Sequence, residues 1–122
     1  MNRREFEKLA EDIIILDGAT GSNLRKAGMP VGICPETWIL EHPQALIELQ
    51  REYVKAETNI LYAPTFTANR ISLKNLGLES EVKRLNMENV RISKEAVGDR
   101  ALVAGNLSTT IQPLEQIGTM TY

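Results

Sequence analysis

Cysteine and histidine are nearly absent from this sequence, which contains only Cys34 and His42. One cysteine can form no internal disulfide, and one thiolate cannot by itself build a zinc site that needs several cysteine ligands. Cys34 precedes Pro35 in a loop that leads into a helix, so we interpret it as a small structural residue rather than a reactive thiol. His42 stands just before Pro43 between two helical stretches, which indicates helix punctuation rather than catalysis.

Long apolar runs and a large net charge are also missing. No stretch approaches the ~20 apolar residues of a membrane-spanning helix, and the opening MNRREF is charged where a signal peptide would be apolar. The formal net charge of −2 gives no electrostatic reason for a nucleic-acid or anionic-membrane partner. We therefore expect a cytoplasmic protein that binds neither. With 43% hydrophobic and 25% charged residues and no linker, 1–122 is expected to be a single globular domain.

The most informative stretch runs from Asp12 to Ser22. Aliphatic residues lead directly into an acid and two closely spaced glycines, which predicts a buried strand over 12–17 that ends in a tight turn. Ligands gather at the carboxyl ends of strands in parallel sheets. We therefore expect Asp17 and the backbone amides of 18–22 to form one wall of a pocket.

Two further short apolar runs predict strands at 59–64 and 101–105, and Pro64 marks a strand end because it cannot donate a ladder hydrogen bond. Apolar spacing and end signals predict helices over 3–11, 22–27, 35–41, 43–57, 68–76 and 80–97. Continuous aliphatic strands joined by helices are typical of a parallel sheet with covered faces. The polar groups at 17–22, 65–69 and 105–110 are then expected to meet at one rim.

Two of these helices have specific packing predictions. The helix over 3–11 places Phe6 and Leu9 at helical spacing and is expected to lie against the bottom of the sheet or to cover one of its ends. The helix that begins at Pro43 is expected to pack through a stripe containing Leu46, while Gln50 meets water.

Three strands cannot close a barrel. Each strand–helix unit occupies about 40 to 47 residues, so eight units need a chain more than twice as long. The sequence therefore predicts an α/β fold that forms the N-terminal portion, about three βα units, of a (β/α)₈ TIM barrel with parallel strands. Residues 112–122 are predicted to be irregular. An exposed sheet edge would favour pairing with the missing C-terminal half of the barrel or self-association.

Four segments resemble, in order and spacing, the N-terminal part of the homocysteine S-methyltransferase family, which includes the homocysteine-binding module of cobalamin-dependent methionine synthase and betaine-using enzymes. They are Leu16–Gly21, Pro43–Ala56, Thr65–Arg70 and Val103–Asn106, within a match that spans 12–122. The resemblance implies a barrel that binds homocysteine at its strand ends and holds zinc through cysteine thiolates. Zinc would lower the pKa of the substrate thiol and so generate the nucleophile that attacks a methyl donor.

The same resemblance implies which parts of the longer parent enzyme, a methyltransferase, hold zinc and which bind substrate. The zinc cysteines belong to later strands and Cys34 matches none of them, so this chain would contain no catalytic or metal-binding residue and be inactive alone. Cobalamin and methyltetrahydrofolate would reach the parent through other domains. By position, the residues that bind the amino-acid end of homocysteine would be Asp17, Gly18, Ala19, Gly21, Thr65, Asn69 and Asn106. Asp17 would accept from the ammonium group, and Thr65 and Asn69 would add neutral hydrogen bonds.

Other interpretations stay open. Asp17 also fits a turn cap, and Thr65 and Asn69 fit caps of the following helix equally well. The family usually has glycine where Glu57 and Thr67 stand, so a paralogue that methylates another acceptor in a corrinoid system is a second interpretation. A third is a small phosphate- or nucleotide-binding α/β module that uses 18–22, although this spacing matches neither standard glycine motif.

Overall fold

The computed structural model describes residues 1–108 and 110, in which four helices precede the first of two short strands and two more helices separate the strands. The helices are α1 (Arg3–Leu9), α2 (Gly21–Lys26), α3 (Pro35–Glu41), α4 (Pro43–Lys55), α5 (Arg70–Lys74) and α6 (Val82–Val97), with a 3₁₀ helix at Glu79–Glu81 before α6. The strands are β1 (Ile60–Tyr62) and β2 (Leu102–Ala104). The six predicted helices and two of the three predicted strands are therefore present. The predicted irregular segment 112–122 lies outside the described residues.

β1 and β2 pair in parallel, with Ile60 opposite Leu102 and Tyr62 opposite Ala104. The chain between them forms α5 and α6, so a helical crossover returns it to the same sheet, as parallel pairing requires. The prediction of parallel strands is confirmed. The described residues form an open α/β layer, and a closed barrel is not present among them.

The predicted buried strand over 12–17 is wrong in extent and in burial. A single isolated parallel bridge joins Leu16 to Ile60 of β1. Ile13 is 91% exposed, and Ile15 and Leu16 are 46% and 47% exposed. This segment is at the edge of the sheet, and no further strand pairs with its outer edge within the described part of the chain. The aliphatic composition of this segment predicted burial. Burial also requires neighbouring elements that pack on both sides of the segment.

Asn59 supplies hydrogen bonds that hold this segment beside β1. Its side-chain oxygen accepts from the Ile15 N–H at 2.8 Å, and its backbone N–H donates to the Ile15 carbonyl at 2.8 Å. The Asp17 N–H donates to the Ile60 carbonyl at 3.2 Å. These bonds bring Asp17 alongside β1, where the sequence placed it.

The core lies between the sheet and α3, α4 and α6. Its buried residues include Leu24, Trp38, Ile39, Leu46, Leu61, Ile92 and Val97. Gln50 is fully buried, contrary to prediction, because its Nε2 donates to the carbonyl of Tyr62 at the end of β1, 3.2 Å away. A helical wheel cannot reveal this tertiary partner.

The positions of the helix ends agree with the sequence predictions better than the packing of the helices does. His42 ends α3 and precedes α4, with its ring stacked on Trp38 at a centroid distance of 4.4 Å, so the punctuation interpretation is confirmed. In contrast, α1 buries none of its residues and Phe6 is exposed, so the prediction that it covers the sheet is wrong. No helix among the described residues has the length and apolar character needed to span a membrane.

The end of α4 suggests a stabilising substitution. Glu57 has a φ of +64°, and its N–H and that of Thr58 donate to the carbonyls of Val54 and Tyr53 in the last turn. This is the helix-ending geometry that favours glycine, because a side chain in the left-handed region costs roughly 1 kcal/mol.

Glu57→Gly is therefore expected to raise the free energy of unfolding by roughly 0.5–1 kcal/mol, as measured by urea denaturation. Glu48→Gly is the matched control, because Glu48 is exposed within α4, and it should instead lower stability by about 1 kcal/mol. Two changes of the same sign would contradict the assignment of strain to Glu57.

Candidate functional site

A cavity of ≈ 350 Å³ opens where the three predicted strand ends meet. Asp17, Gly18 and Gly21 line it from the first strand end, and Asn106 lines it from the segment after β2. The second strand end contributes Tyr62, Ala63, Pro64, Phe66 and Thr67. The convergence on one rim that the sequence predicts is therefore present. Thr20 and Leu24 from the glycine turn and α2, with Pro35 and Glu36 from α3, complete the walls.

Asp17 has the most unusual environment in this cavity. Its Oδ2 is shielded from solvent and has no hydrogen-bond partner among the described residues. Burial raises the pKa of the Asp17 carboxyl above 3.8, and hydrogen bonds from the backbone N–H groups of Tyr62 and Asp17 offset only part of this effect. A buried acceptor without a partner at a cavity wall is a candidate ligand-binding group.

The glycine turn that follows is fixed by α4 and α2. The Tyr53 hydroxyl donates to the Ala19 carbonyl at 3.0 Å, and Asn23 Nδ2 donates to the same oxygen at 2.6 Å. A Cβ on Gly18 would lie 2.9 Å from the Tyr53 hydroxyl oxygen, so any larger residue there would force the Tyr53 side chain to shift. Ala19 is not among the residues that line the cavity, and its carbonyl oxygen is occupied by these bonds.

Two predicted site residues have structural partners and do not line the cavity. Thr65 Oγ1 donates to the Asn106 carbonyl at 3.1 Å and accepts from the Asn106 N–H at 3.0 Å, which ties the ends of β1 and β2 together. The Asn69 side chain accepts from the Ser72 N–H at 2.9 Å and caps α5. The capping interpretation of Asn69 is therefore confirmed, whereas Thr65 joins two strand ends.

Sequence reasoning missed Glu36, whose side chain is only 1% exposed. Its Oε1 accepts from the Thr67 N–H at 2.7 Å, and its Oε2 accepts from the Thr67 hydroxyl at 2.5 Å. An acid in the first turn of a helix is readily explained by the helix dipole. The only other signal was a hydroxyl 31 residues away, and sequence spacing does not reveal such a partner.

Cys34 has the structural role that the sequence indicates. It is buried, and its Sγ donates to Glu36 Oε2 at 3.2 Å. Burial is the main cause that raises the pKa of the Cys34 thiol, and the nearby Glu36 charge adds to it. The thiol is therefore kept protonated near neutral pH, unlike the low-pKa cysteines that act as nucleophiles or metal ligands.

The charges of the cavity suit a cationic group. Two carboxylates, Asp17 and Glu36, line it, and no Lys, Arg or His side chain is among the described residues of its walls. A zinc site built from cysteine thiolates does not fit the residues present, because the sequence has one cysteine. The described part of the chain contains no group of three or more His, Cys, Asp or Glu side chains placed to hold a metal ion.

A profile of the homocysteine S-methyltransferase family matches residues 14–121 of this chain. The chain belongs to this family. It is 32% identical over 113 residues to betaine–homocysteine S-methyltransferase 1 of Danio rerio and 29% identical over 101 residues to S-methylmethionine–homocysteine S-methyltransferase BHMT2 of Pongo abelii. These matches cover 88% and 81% of the chain.

A solved structure supports the fold of this family member. The metallated form of the homocysteine methyltransferase MmuM from Escherichia coli superposes with a TM-score of 0.67 at 21% identity, over 84% of this chain. The chain spans only part of each relative: 28% of the Danio rerio protein, 26% of the Pongo abelii protein and 40% of the E. coli structure.

Proposed function

We propose that this chain is the N-terminal section of a homocysteine S-methyltransferase and that its cavity receives the amino-acid end of homocysteine. The observation on which this rests is the partnerless, shielded Oδ2 of Asp17 at the wall of a cavity that has no basic side chain among the described residues. An ammonium group would give this oxygen a charge-assisted hydrogen bond. Backbone amides of the turn at 18–21 would then face the substrate carboxylate, as the sequence predicts.

The names of the relatives support homocysteine as the methyl acceptor more than they support any one methyl donor. The Danio rerio, Pongo abelii and E. coli proteins are all named for homocysteine, whereas the first two are named for betaine and S-methylmethionine respectively. We therefore include homocysteine in the proposal and leave the methyl donor open, including a cobalamin and methyltetrahydrofolate route through other domains.

The proposal assigns the metal chemistry to residues outside this chain. When bound, zinc would activate the thiol of homocysteine. Cys34 is the only cysteine in the sequence, and its Sγ donates to Glu36, so this chain would contribute substrate contacts and no zinc ligand. In this proposal 1–122 is the N-terminal portion, about three βα units, of a (β/α)₈ barrel in the cytoplasm, completed by a C-terminal section and inactive without it.

The two other interpretations are less well supported. A phosphate in the cavity would face the carboxylates of Asp17 and Glu36, which repel an anion. The substrate of a paralogue with a different acceptor would still need a cationic group to pair with Asp17. The identity of the acceptor thiol, rather than this cavity, therefore distinguishes such a paralogue from a homocysteine methyltransferase.

The test is to express the complete reading frame that contains this chain, referred to below as the parent protein, beside residues 1–122 alone. We expect the parent protein to retain zinc and to methylate L-homocysteine when supplied with betaine, S-methylmethionine or methylcobalamin. Residues 1–122 should hold no stoichiometric zinc and transfer no methyl group. Zinc bound tightly by 1–122, or a zinc-loaded parent protein that methylates other thiols and not homocysteine, would contradict the proposal.

A further inference from the structure

We propose that Glu36 is a positioning residue, which acts through Thr67 to fix the turn at 63–67 and thereby the shape of the cavity. This inference rests on the proposed function for its effect on substrate. Its geometric part, that two Thr67 donors share one buried carboxylate at the cavity wall, stands independently.

The β1–β2 ladder holds only the start of this turn and Thr65 ties its middle to Asn106, so the end of the turn at 66–67 needs a further anchor. The β1–β2 pairing stops at Tyr62, and the last ladder-like bond beyond it is from the Ala63 N–H to the Ala104 carbonyl at 2.8 Å. Pro64 has no N–H to offer a neighbouring strand. Ala63, Pro64, Phe66 and Thr67 nevertheless form a large part of the cavity wall.

Glu36 provides this anchor from a rigid element. Its own carbonyl accepts from the buried Asn89 Nδ2 of α6 at 3.3 Å, so α3 is held in place from behind. Both carboxylate oxygens then accept from Thr67, and Cys34 Sγ donates to Oε2. A buried carboxylate that accepts several hydrogen bonds has little freedom to move, so the position of Thr67 relative to α3 is fixed.

The hydroxyl of Thr67 makes this anchor a double one. A glycine at this position would keep the N–H bond to Oε1 but lose the hydroxyl bond to Oε2. Threonine therefore adds a second hydrogen bond that closes the pair with Glu36. The side chain of Thr67 is thereby directed toward Glu36, while the neighbouring Phe66 is left exposed at the cavity.

Two substitutions of Thr67 separate this role from packing. Thr67→Val keeps the shape and removes the hydroxyl, whereas Thr67→Ser keeps the hydroxyl and removes a methyl group. If the hydroxyl positions the turn, Thr67→Val and Glu36→Gln should each raise the KM of the parent protein for L-homocysteine ~10-fold, since hydrogen bonds to charged groups are strong. Thr67→Ser should stay within about twofold of the wild type in KM. Turnover number should change less than KM in all three.

Thr37→Val is the matched control. The Thr37 hydroxyl donates to the Cys34 carbonyl at 2.8 Å in the first turn of α3, and Thr37 does not line the cavity. Loss of the Thr37 hydroxyl should leave the KM for L-homocysteine unchanged, even where the substitution lowers the melting temperature. A packing role for residue 67 would reverse the order of Thr67→Ser and Thr67→Val and would overturn the inference.

A second measurement does not depend on the substrate. The carboxyl carbon of Asp17 can be titrated by NMR in residues 1–122, where burial raises its pKa. Loosening the turn should expose Asp17 and bring its pKa closer to the ordinary value in Thr67→Val and Glu36→Gln, but not in Thr67→Ser or Thr37→Val. If the parent protein proves inactive on homocysteine, the proposed function fails while this titration still decides the role of Glu36. An unchanged Asp17 pKa in both Thr67→Val and Glu36→Gln would overturn the inference.

Discussion

Asp17→Asn is expected to raise the KM of the parent protein for L-homocysteine by ~10- to 100-fold, the loss typical of a hydrogen bond between charged partners. The shielded Oδ2 has no partner among the described residues, so the substrate ammonium would provide its missing hydrogen bond. Asparagine keeps the size of the side chain and removes the negative charge. Asp12→Asn is the matched control, because Asp12 is exposed and does not line the cavity. Equal KM values for the two variants would show that Asp17 does not contact substrate.

The same substitution should stabilise the unliganded chain at neutral pH. Burial raises the pKa of Asp17, so the folded chain binds this proton more tightly than the unfolded chain does. The stability that Asp17 contributes is therefore complete below pH 3.8 and is lost as the pH rises through the folded value. Urea denaturation at pH 7 should find Asp17→Asn more stable than the wild type, and the difference should vanish below pH 3.8. A less stable variant at pH 7 would instead support a turn-capping role.

Ile92→Ala is expected to lower the free energy of unfolding by ~2–5 kcal/mol, a large share of the ~5–15 kcal/mol typical of a domain. Ile92 is 2% exposed on the face of α6 that joins the main core cluster with Leu46 and Leu61. Removing three carbon atoms there leaves a cavity between α4, α6 and the sheet, which the neighbours fill only in part.

Met87→Ala on the same helix separates core packing from helix propensity. Met87 is 59% exposed, so its truncation should change stability by less than about 0.5 kcal/mol in the same denaturation experiment. A similar loss for both variants would mean that α6 does not pack on the sheet as the structure shows.

The agreement between sequence and structure is best where the signal is local. The proline at the start of α3, the glycine that follows α2 and the proline that ends the second strand each act within a few residues, and the helices begin and end close to their predicted positions. The rim of the parallel sheet was also predictable, because chain direction alone puts the three strand ends on the same side. Asp17, Gly18, Gly21 and Asn106 accordingly line one cavity.

The errors arise where the partner is distant in the sequence. Gln50 was expected in water because it lies off the apolar stripe of its helix, yet it is buried and donates to the Tyr62 carbonyl 12 residues later. Thr65 was expected to contact ligand, and its hydroxyl instead bonds the backbone of Asn106, 41 residues away. Glu36 was missed as a site residue because its partner Thr67 lies 31 residues away.

The sequence by itself indicated the family through the resemblance of four segments. It also determined the parallel α/β pattern and the acid at the first strand end, because apolar spacing and turn residues encode local structure and chain direction. Only the tertiary structure decided which polar groups have partners. It left Asp17 Oδ2 without one and gave Glu36 three donors, since hydrogen-bond partners are set by distances in space and not by distances along the chain. It likewise decided that the aliphatic run at 13–16 is largely exposed, because burial depends on what packs against a segment and not on its own residues.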